Sequence, residues 1–290
     1  MYKTANDYYK QKYGDKVYKL SLNGGFTCPN RDGTVGTGGC IFCSALGSGD
    51  FAEKGDNITE QLEKAKRRVE NKIKSGKYIA YFQAFTSTYA PIERLKKLYY
   101  EAIKPDYIVG LSIGTRPDCL DDEIVKLLKE INAIKPVCIE LGLQTTNEKS
   151  AEYIRRGYEN AVYFDAVKRL KNAGIEVVTH MILGLPNETA DDMIKTTRDV
   201  VAAGSDGVKF HLLHVLKSTD LEAQYLSGTF ECLSLEKYAE ILKKCIAVLP
   251  PDVVVHRITG DGAKRDLIAP TWSADKKTTL NYLNKYLKED

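Results

Sequence analysis

What most constrains this chain is a regular alternation of short apolar runs with longer amphipathic ones. Strand-like segments at 17–23, 78–84, 107–113, 137–143, 176–183 and 207–213 alternate with helical periodicity at about 57–74, 91–103, 121–133, 160–172, 189–203 and 234–249; a shorter helical stretch lies near 147–155. A helix between two strands returns the chain to its starting edge, so the strands must run parallel. Six consecutive units predict an α/β fold, a partial (βα)6 TIM-like barrel. A strand at 253–258 and a helix at about 274–287 would add a C-terminal strand–helix extension. No internal repeat and no Pro/Gly/Ser linker divides the sequence. Residues 1–290 are therefore expected to form one domain, with a core at about 17–249 and the extension at about 250–290.

Of the 290 residues 43% are hydrophobic and 28% charged, which excludes a disordered or fibrous chain. No apolar run approaches the roughly 18 residues of a membrane span, and the opening MYKTANDYYKQKYGDK is too polar for a signal peptide. Seven cysteines, an odd number without a secretory signal, argue for a reducing compartment rather than a disulfide framework. A cytoplasmic protein with no membrane partner is expected. A net charge of +3 neither demands nor excludes nucleic acid.

In such a barrel one strand face packs on helices and the other looks inward, with active sites at the C-terminal strand ends. The fourth strand sets Val137, Ile139, Leu141 and Leu143 on one face and Cys138, Glu140, Gly142 and Gln144 on the other. The third sets Val109, Leu111 and Ile113 against Gly110, Ser112 and Gly114, with Arg116, Asp118 and Cys119 just beyond it. The sixth sets Val208, Phe210 and Leu212 against Lys209 and His211, and His180 lies near the end of the fifth, in line with Val178 and Ile182. An unpartnered buried polar group costs about 1–3 kcal/mol. An interior this polar implies a ligand or a dense network.

Directly after the first strand come Cys28, Cys40 and Cys43, a C-x11-C-x2-C arrangement, and eight of the 22 glycines fall between Gly24 and Gly49. Structural zinc wants four closed ligands, and a fourth is missing locally. Three thiols on a loop above the strand ends leave one coordination position open, which suits catalysis better than architecture.

The segments LSLNGGFTCPNRDG, GGCIFC, YFQAFTSTYAP, SIGTRPDCL, IELGLQT, RRGY, HMILGLPNET, KFHLLHVLKST and HRITGDG together resemble the YhcC/YtqA-like group of the radical S-adenosylmethionine (SAM) superfamily over nearly the whole chain. That group is akin to the radical SAM domain of the Elongator-type (Elp3) tRNA-modifying enzymes and includes the MnmL-type proteins of wobble-uridine modification. The resemblance implies a radical SAM barrel with an N-terminal cluster loop. Cys28, Cys40 and Cys43 would hold a [4Fe–4S] cluster, SAM would chelate the fourth iron, and reductive cleavage would give a 5′-deoxyadenosyl radical. The first spacing departs from the superfamily's usual C-x3-C. The resemblance also implies that Phe42 flanks the SAM adenine and that Gln144 and Arg156 hold SAM polar groups. Gln83 and Thr86 bound the stretch that holds the SAM amino group in many relatives. His180 stands where coproporphyrinogen-dehydrogenase-like members have a SAM-contacting carboxylate.

Ser112 and Glu140, inward-facing, join the cofactor-side candidates, and Arg116, Cys119, His180 and Lys209 are the catalytic candidates. Implied partners are SAM, tRNA and an electron donor such as flavodoxin or ferredoxin. The implied reaction converts 5-carboxymethylaminomethyluridine to 5-aminomethyluridine. Lys64, Lys66, Arg67, Arg68, Lys72, Lys74 and Lys77, with Lys10, Lys12, Lys16 and Lys19, are candidate phosphate contacts, although such runs are solvated helix faces at least as often. Two other readings stay open: a radical SAM enzyme acting on a small metabolite or tetrapyrrole, and a zinc-stabilised RNA-binding module without redox chemistry.

Overall fold

In the computed structural model, residues 2–47, 49, 52–53, 55, 57–72, 76–260, 262 and 264–288 are described. The chain opens with β1 (Lys3–Thr4) and α1 (Ala5–Tyr13), and continues through β2 (Tyr18–Leu22), α2 (Ile58–Val69), β3 (Tyr78–Phe82), α3 (Ile92–Ile103), β4 (Ile108–Thr115) and α4 (Asp122–Asn132). Then follow β5 (Val137–Gln144), α5 (Glu148–Tyr153), α6 (Asn160–Asn172), β6 (Glu176–Leu183), α7 (Ala190–Ala202) and β7 (Gly207–Leu212). The last elements are β8 (Val215–Leu216), α8 (Asp220–Leu226), α9 (Leu235–Ala247), β9 (Val254–Arg257), β10 (Leu267–Ala269) and α10 (Lys276–Tyr286). The helix expected at 57–74 leaves α geometry after Val69 and passes into a 3-10 turn at Glu70–Lys72. Its final residues, Lys74 among them, lie outside the described residues.

Eight strands form one parallel sheet in the order β1-β9-β7-β6-β5-β4-β3-β2, curled into a half-barrel. The six expected units are thus present in sequence order, and β9 and β1 extend the far edge. Alternation explains the packing. Leu20, Phe82, Ile113, Leu141, Leu183 and Phe210 point outward into one apolar cluster with Leu62, Tyr99, Leu128, Leu170 and Leu242 of the helices. One face assignment fails. A bulge pairs Tyr78 with Ile108 but Ile79 with Gly110, so Val109 leaves the face of Leu111 and Ile113 and packs with Tyr9 and Tyr13 instead.

Helix α1 was not expected, because its apolar side is built of tyrosines within a polar segment. Thr4 caps it by accepting from the Asp7 amide, and Gly14, at φ 82°, ends it in the left-handed conformation that glycine adopts without strain. The helix lies across the N-terminal ends of the strands. Tyr9 packs on Val17 and Ile79 there, the Tyr8 hydroxyl donates to Glu176 at 2.7 Å, and the Lys12 amine does so at 2.9 Å. At the opposite end, the antiparallel pair β8–β10 and a second apolar cluster roof the strand ends. Ile41 of the cysteine loop inserts into that cluster beside Ile154, Leu185 and Leu221.

Candidate active site

A cavity of about 400 Å3 opens at the C-terminal ends of the strands, with the cysteine loop forming one wall. That loop is pinned on both sides of its third turn: the Ile41 amide donates to the Ile154 carbonyl, and its own carbonyl accepts from Leu221. Arg31 ties it internally by donating to the Cys43 and Ser44 carbonyls at 3.1 and 2.6 Å. Gly39, at φ 72°, lies where a Cβ would meet the Arg31 side chain at 3.0 Å, so this turn accepts little but glycine. Cys28, Cys40 and Cys43 all line the cavity, and Phe42 stands among them. Burial, with Cys43 beside it, pushes the Cys40 thiol up to about 12.

The donor set fits the implied cluster. A single zinc ion needs its ligands converged on one point, and among the described residues no three His, Cys, Asp or Glu side chains do so. A cubane cluster takes one thiolate per iron from around its periphery.

Glu140 of β5 organises the cavity floor. Its side chain is fully buried and accepts from Ser112 at 2.7 Å, Tyr81 at 2.8 Å and His180 at 2.8 Å, and from both Lys19 and Lys209. Burial alone would raise its carboxyl, but Lys19 and Lys209 outweigh it and hold the group well below the usual carboxylate range. Burial lowers Lys209 to about 8 in spite of Glu140. Burial, reinforced by Lys209, lowers His180 to about 4, so its ring is neutral at pH 7. The His211 ring lies 4.9 Å from that of His180, and its buried Nε2 has no hydrogen-bond partner among the described residues.

Gln83, Thr86, Glu140, Gln144, Arg156, Arg116, His180 and Lys209, all singled out in the sequence, line this cavity with the cysteines. Ser112 lies one level below, supporting Glu140. Cys119 lies behind Arg116, with its thiol 3.8 Å from Asp118, and is not on the cavity wall. Arg116 is held bidentately by Asp118 at 2.9 and 2.6 Å.

Arg156 differs from expectation. It is 1% exposed, and its five N–H groups go to the carbonyls of Leu143, Thr145 and Tyr158 and to Glu148. With no donor left over, it frames the cavity rather than reaching into it. The N-terminal basic group is also corrected. Lys19 points inward to Glu140, Lys12 is tied to Glu176, and α1 sits at the end opposite the cavity. Along α2, Lys64 and Lys66 pair with Glu60 and Glu63, and Arg68 with Glu53.

Sequence reasoning passed over Tyr81, Tyr158 and Arg257, which also line the cavity. Tyr81 lies in a strand apolar on both faces, so alternation carried no signal. Tyr158 falls just after the helical stretch near 147–155, and Arg257 lies within the expected strand at 253–258, to whose faces no roles were assigned. No helix among the described residues is long and apolar enough to cross a membrane.

The radical SAM superfamily model matches residues 28–200, and the radical SAM C-terminal domain model matches residues 205–289. The chain is 46% identical to the uncharacterized protein YtqA of Bacillus subtilis, over 99% of this chain and 89% of that protein. It is 40% identical to YhcC of Escherichia coli, over 96% and 90%. Elongator complex protein 3 of Schizosaccharomyces pombe shares 27% identity over 59% of this chain and 30% of its own length. The solved Elp3 structure from Methanocaldococcus infernus superposes with a TM-score of 0.70 at 18% identity, covering 93% of this chain and 63% of that one, a likeness of fold. The zinc-stabilised module without redox chemistry is thereby set aside. The chain belongs to the radical SAM superfamily and is an enzyme whose cofactors are a [4Fe–4S] cluster and S-adenosylmethionine.

Proposed function

We propose that this enzyme modifies tRNA at the C5 side chain of the wobble uridine, converting 5-carboxymethylaminomethyluridine to 5-aminomethyluridine. What supports the reading is likeness along almost the entire chain to YtqA and YhcC, together with partial likeness to Elongator complex protein 3; the resemblance of the motifs to the group that includes the MnmL-type proteins implies the rest. The cavity is compatible with it: Phe42 lines its wall among the cysteines and is an aromatic side chain on which an adenine can stack.

Cys28, Cys40 and Cys43 would hold the cluster, which together with SAM would supply one-electron reductive cleavage of the sulfonium and hydrogen abstraction from the substrate. The chain's own residues position and insulate. The loop around Ile41 closes the roof, Gln144 and Thr86 offer hydrogen bonds to SAM, and Arg116 and Arg156 brace the wall. Lys209 and His180 face the substrate side, where a Lys209 amine that burial lowers to about 8 is suited to proton transfer. A flavodoxin- or ferredoxin-type protein would deliver the electron, and cytoplasmic tRNA would be the substrate pool.

The test is anaerobic incubation of reconstituted enzyme with SAM, a reductant and tRNA bearing 5-carboxymethylaminomethyluridine, read by nucleoside mass spectrometry. Conversion to 5-aminomethyluridine is expected, with accumulation of the precursor in cells lacking the protein. An untouched precursor in both settings would overturn the wobble-uridine assignment and leave radical SAM chemistry on another substrate.

A further inference from the structure

Two lysines share one buried carboxylate, and they do not share it equally. Lys19 donates to Oε1 of Glu140 and Lys209 to Oε2. Lys19 also donates to the Ser112 hydroxyl at 3.0 Å, and that hydroxyl donates to the same Oε1 at 2.7 Å. Two acceptors thus meet Lys19, an arrangement that suits an ammonium. On the other side Tyr81 and the His180 ring each donate to Oε2 at 2.8 Å, beside Lys209. Oε2 therefore keeps two donors when Lys209 gives up its proton, whereas Oε1 has only Ser112 besides Lys19. Of the two lysines, Lys209 is the one on the cavity wall.

The other titratable groups around Lys209 leave this asymmetry intact. Burial lowers the rings of His180, His211 and His256, which are neutral at pH 7, and raises Cys138 and Tyr81, which keep their protons. Arg257 of β9 stands in register with Lys209 and adds a cation. Burial takes Lys209 to about 8, Glu140 opposing it and Lys19 reinforcing it. Burial pulls Lys19 the same way, but Glu140 outweighs it and holds that amine well above the usual lysine range. A lysine beside a second cation is a recognised way to free an amine near neutral pH.

We propose that Lys19 is a positioning residue: by occupying one oxygen of Glu140 as a permanent cation, it keeps Lys209 as an uncharged amine facing the cavity, the base that takes a proton from the substrate. The proposal deepens the wobble-uridine reading and rests on it for the identity of that proton. The substrate side chain carries a secondary amine, which is an ammonium in water. Lys209 Nζ takes one proton from that nitrogen, the nitrogen keeps the electron pair of the N–H bond, and the new Lys209 ammonium completes its ion pair with Glu140. The freed lone pair then stabilises a radical formed at the carbon next to it. The step moves a proton only and needs no oxidant or reductant.

The experiment labels reconstituted enzyme, cluster loaded and free of SAM and RNA, with trace acetic anhydride from about pH 6 to pH 10.5. Acetylation of Lys209 is read by peptide mass spectrometry. Only the free amine reacts, and limited access to the cavity scales the rate without moving its midpoint. Wild type should give a midpoint of about 8. Lys19→Met, which removes the rival cation, should raise that midpoint by about one unit or more, and Lys19→Arg, which restores the charge, should bring it back. Arg257 is the same in every protein, so the differences report Lys19. A second arm follows turnover of tRNA bearing 5-carboxymethylaminomethyluridine over the same range, where the acid limb should track the Lys209 midpoint in all three proteins. Wild-type Lys209 titrating at the ordinary lysine value, or a midpoint that Lys19→Met leaves in place, overturns the proposal. So does failure of both Lys19→Met and Lys19→Gln to fold, which would make Lys19 a purely structural residue. A turnover limb that ignores the midpoint overturns Lys209 as the base. If the tRNA is left untouched while the labelling midpoint moves as described, the role of Lys19 stands and the wobble-uridine reading falls.

Discussion

Glu140 is the residue on which most of the interior electrostatics depends. Replacing it with Gln leaves Lys19 and Lys209 facing one another without their shared counter-charge, and breaking a buried pair in this way costs about 3–5 kcal/mol. Urea unfolding of Glu140→Gln should show a loss of that order; a midpoint within experimental error of wild type would refute the network. Acid should act through the same groups. His180, His211 and His256 are all lowered, first by burial, then by the charges around them, Lys19, Lys209 and Arg257 among them. An unfolded chain takes up protons near pH 6.5 that the folded interior refuses. Stability present above that pH is therefore lost as pH falls towards 4, by roughly 1.4 kcal/mol per unit for each ring. The Glu140 contribution goes only at lower pH. Unfolding free energies at pH 7, 5.5 and 4.5 would show this slope, and a flat profile would mean that the rings are open to solvent. Cys40→Ala should lose iron and all 5′-deoxyadenosine formation, whereas Cys245→Ala, in the core on α9, should keep both at a stability cost of about 1 kcal/mol. Arg156→Ala, which frees three buried carbonyls, should lower the melting temperature more than it lowers SAM affinity, and Arg156→Lys should restore only part of it. A larger effect on SAM than on melting would return Arg156 to the role that the family resemblance implied.

Strand β5 ends in a conformation under strain. Gln144 sits at φ 72° next to a shift in register between Gly142 and Gln144, which turns its side chain into the cavity. A non-glycine residue held in that region costs of order 1 kcal/mol or more. Gln144→Gly should therefore stabilise the fold slightly while weakening SAM binding, measured by melting and calorimetry; a loss on both counts would mean that the side chain holds the strand end. Legibility from sequence followed periodicity. The strands β2 to β7 were readable because five or more residues of alternation survive in most of them, and the inward set Glu140, His180, Lys209 and His211 came with that alternation. The two-residue strands β1 and β8 are too short to carry a period. Val109 was misplaced because a bulge has no signature in hydrophobicity. Lys19 was grouped with surface lysines although its neighbours Leu20 and Leu22 already put it on the inward face. Nothing in the sequence told whether Arg156 would spend its donors on backbone or on ligand, since that depends on where three distant carbonyls meet.

Taken whole, the half-barrel is closed at one end by α1 and open at the other around the cysteine loop. Removing residues 1–16 would expose Ile79, Val109 and the underside of Glu176, and should lower the melting temperature by roughly 5–10 °C. An unchanged melting temperature in the truncated protein would show that the helix is not needed as a plug. The arrangement has a consequence in time. Lys3 and Thr4 pair with Val254 and Val255, so this early segment joins a strand that is made about 250 residues later. At roughly 5–20 residues per second, the opening segment waits on the order of ten to fifty seconds for its partner. Until then water can reach the interior lysines from below. A nascent chain halted before β9 should accordingly be cut by protease near β1, and the same site should become protected only once β9 has emerged.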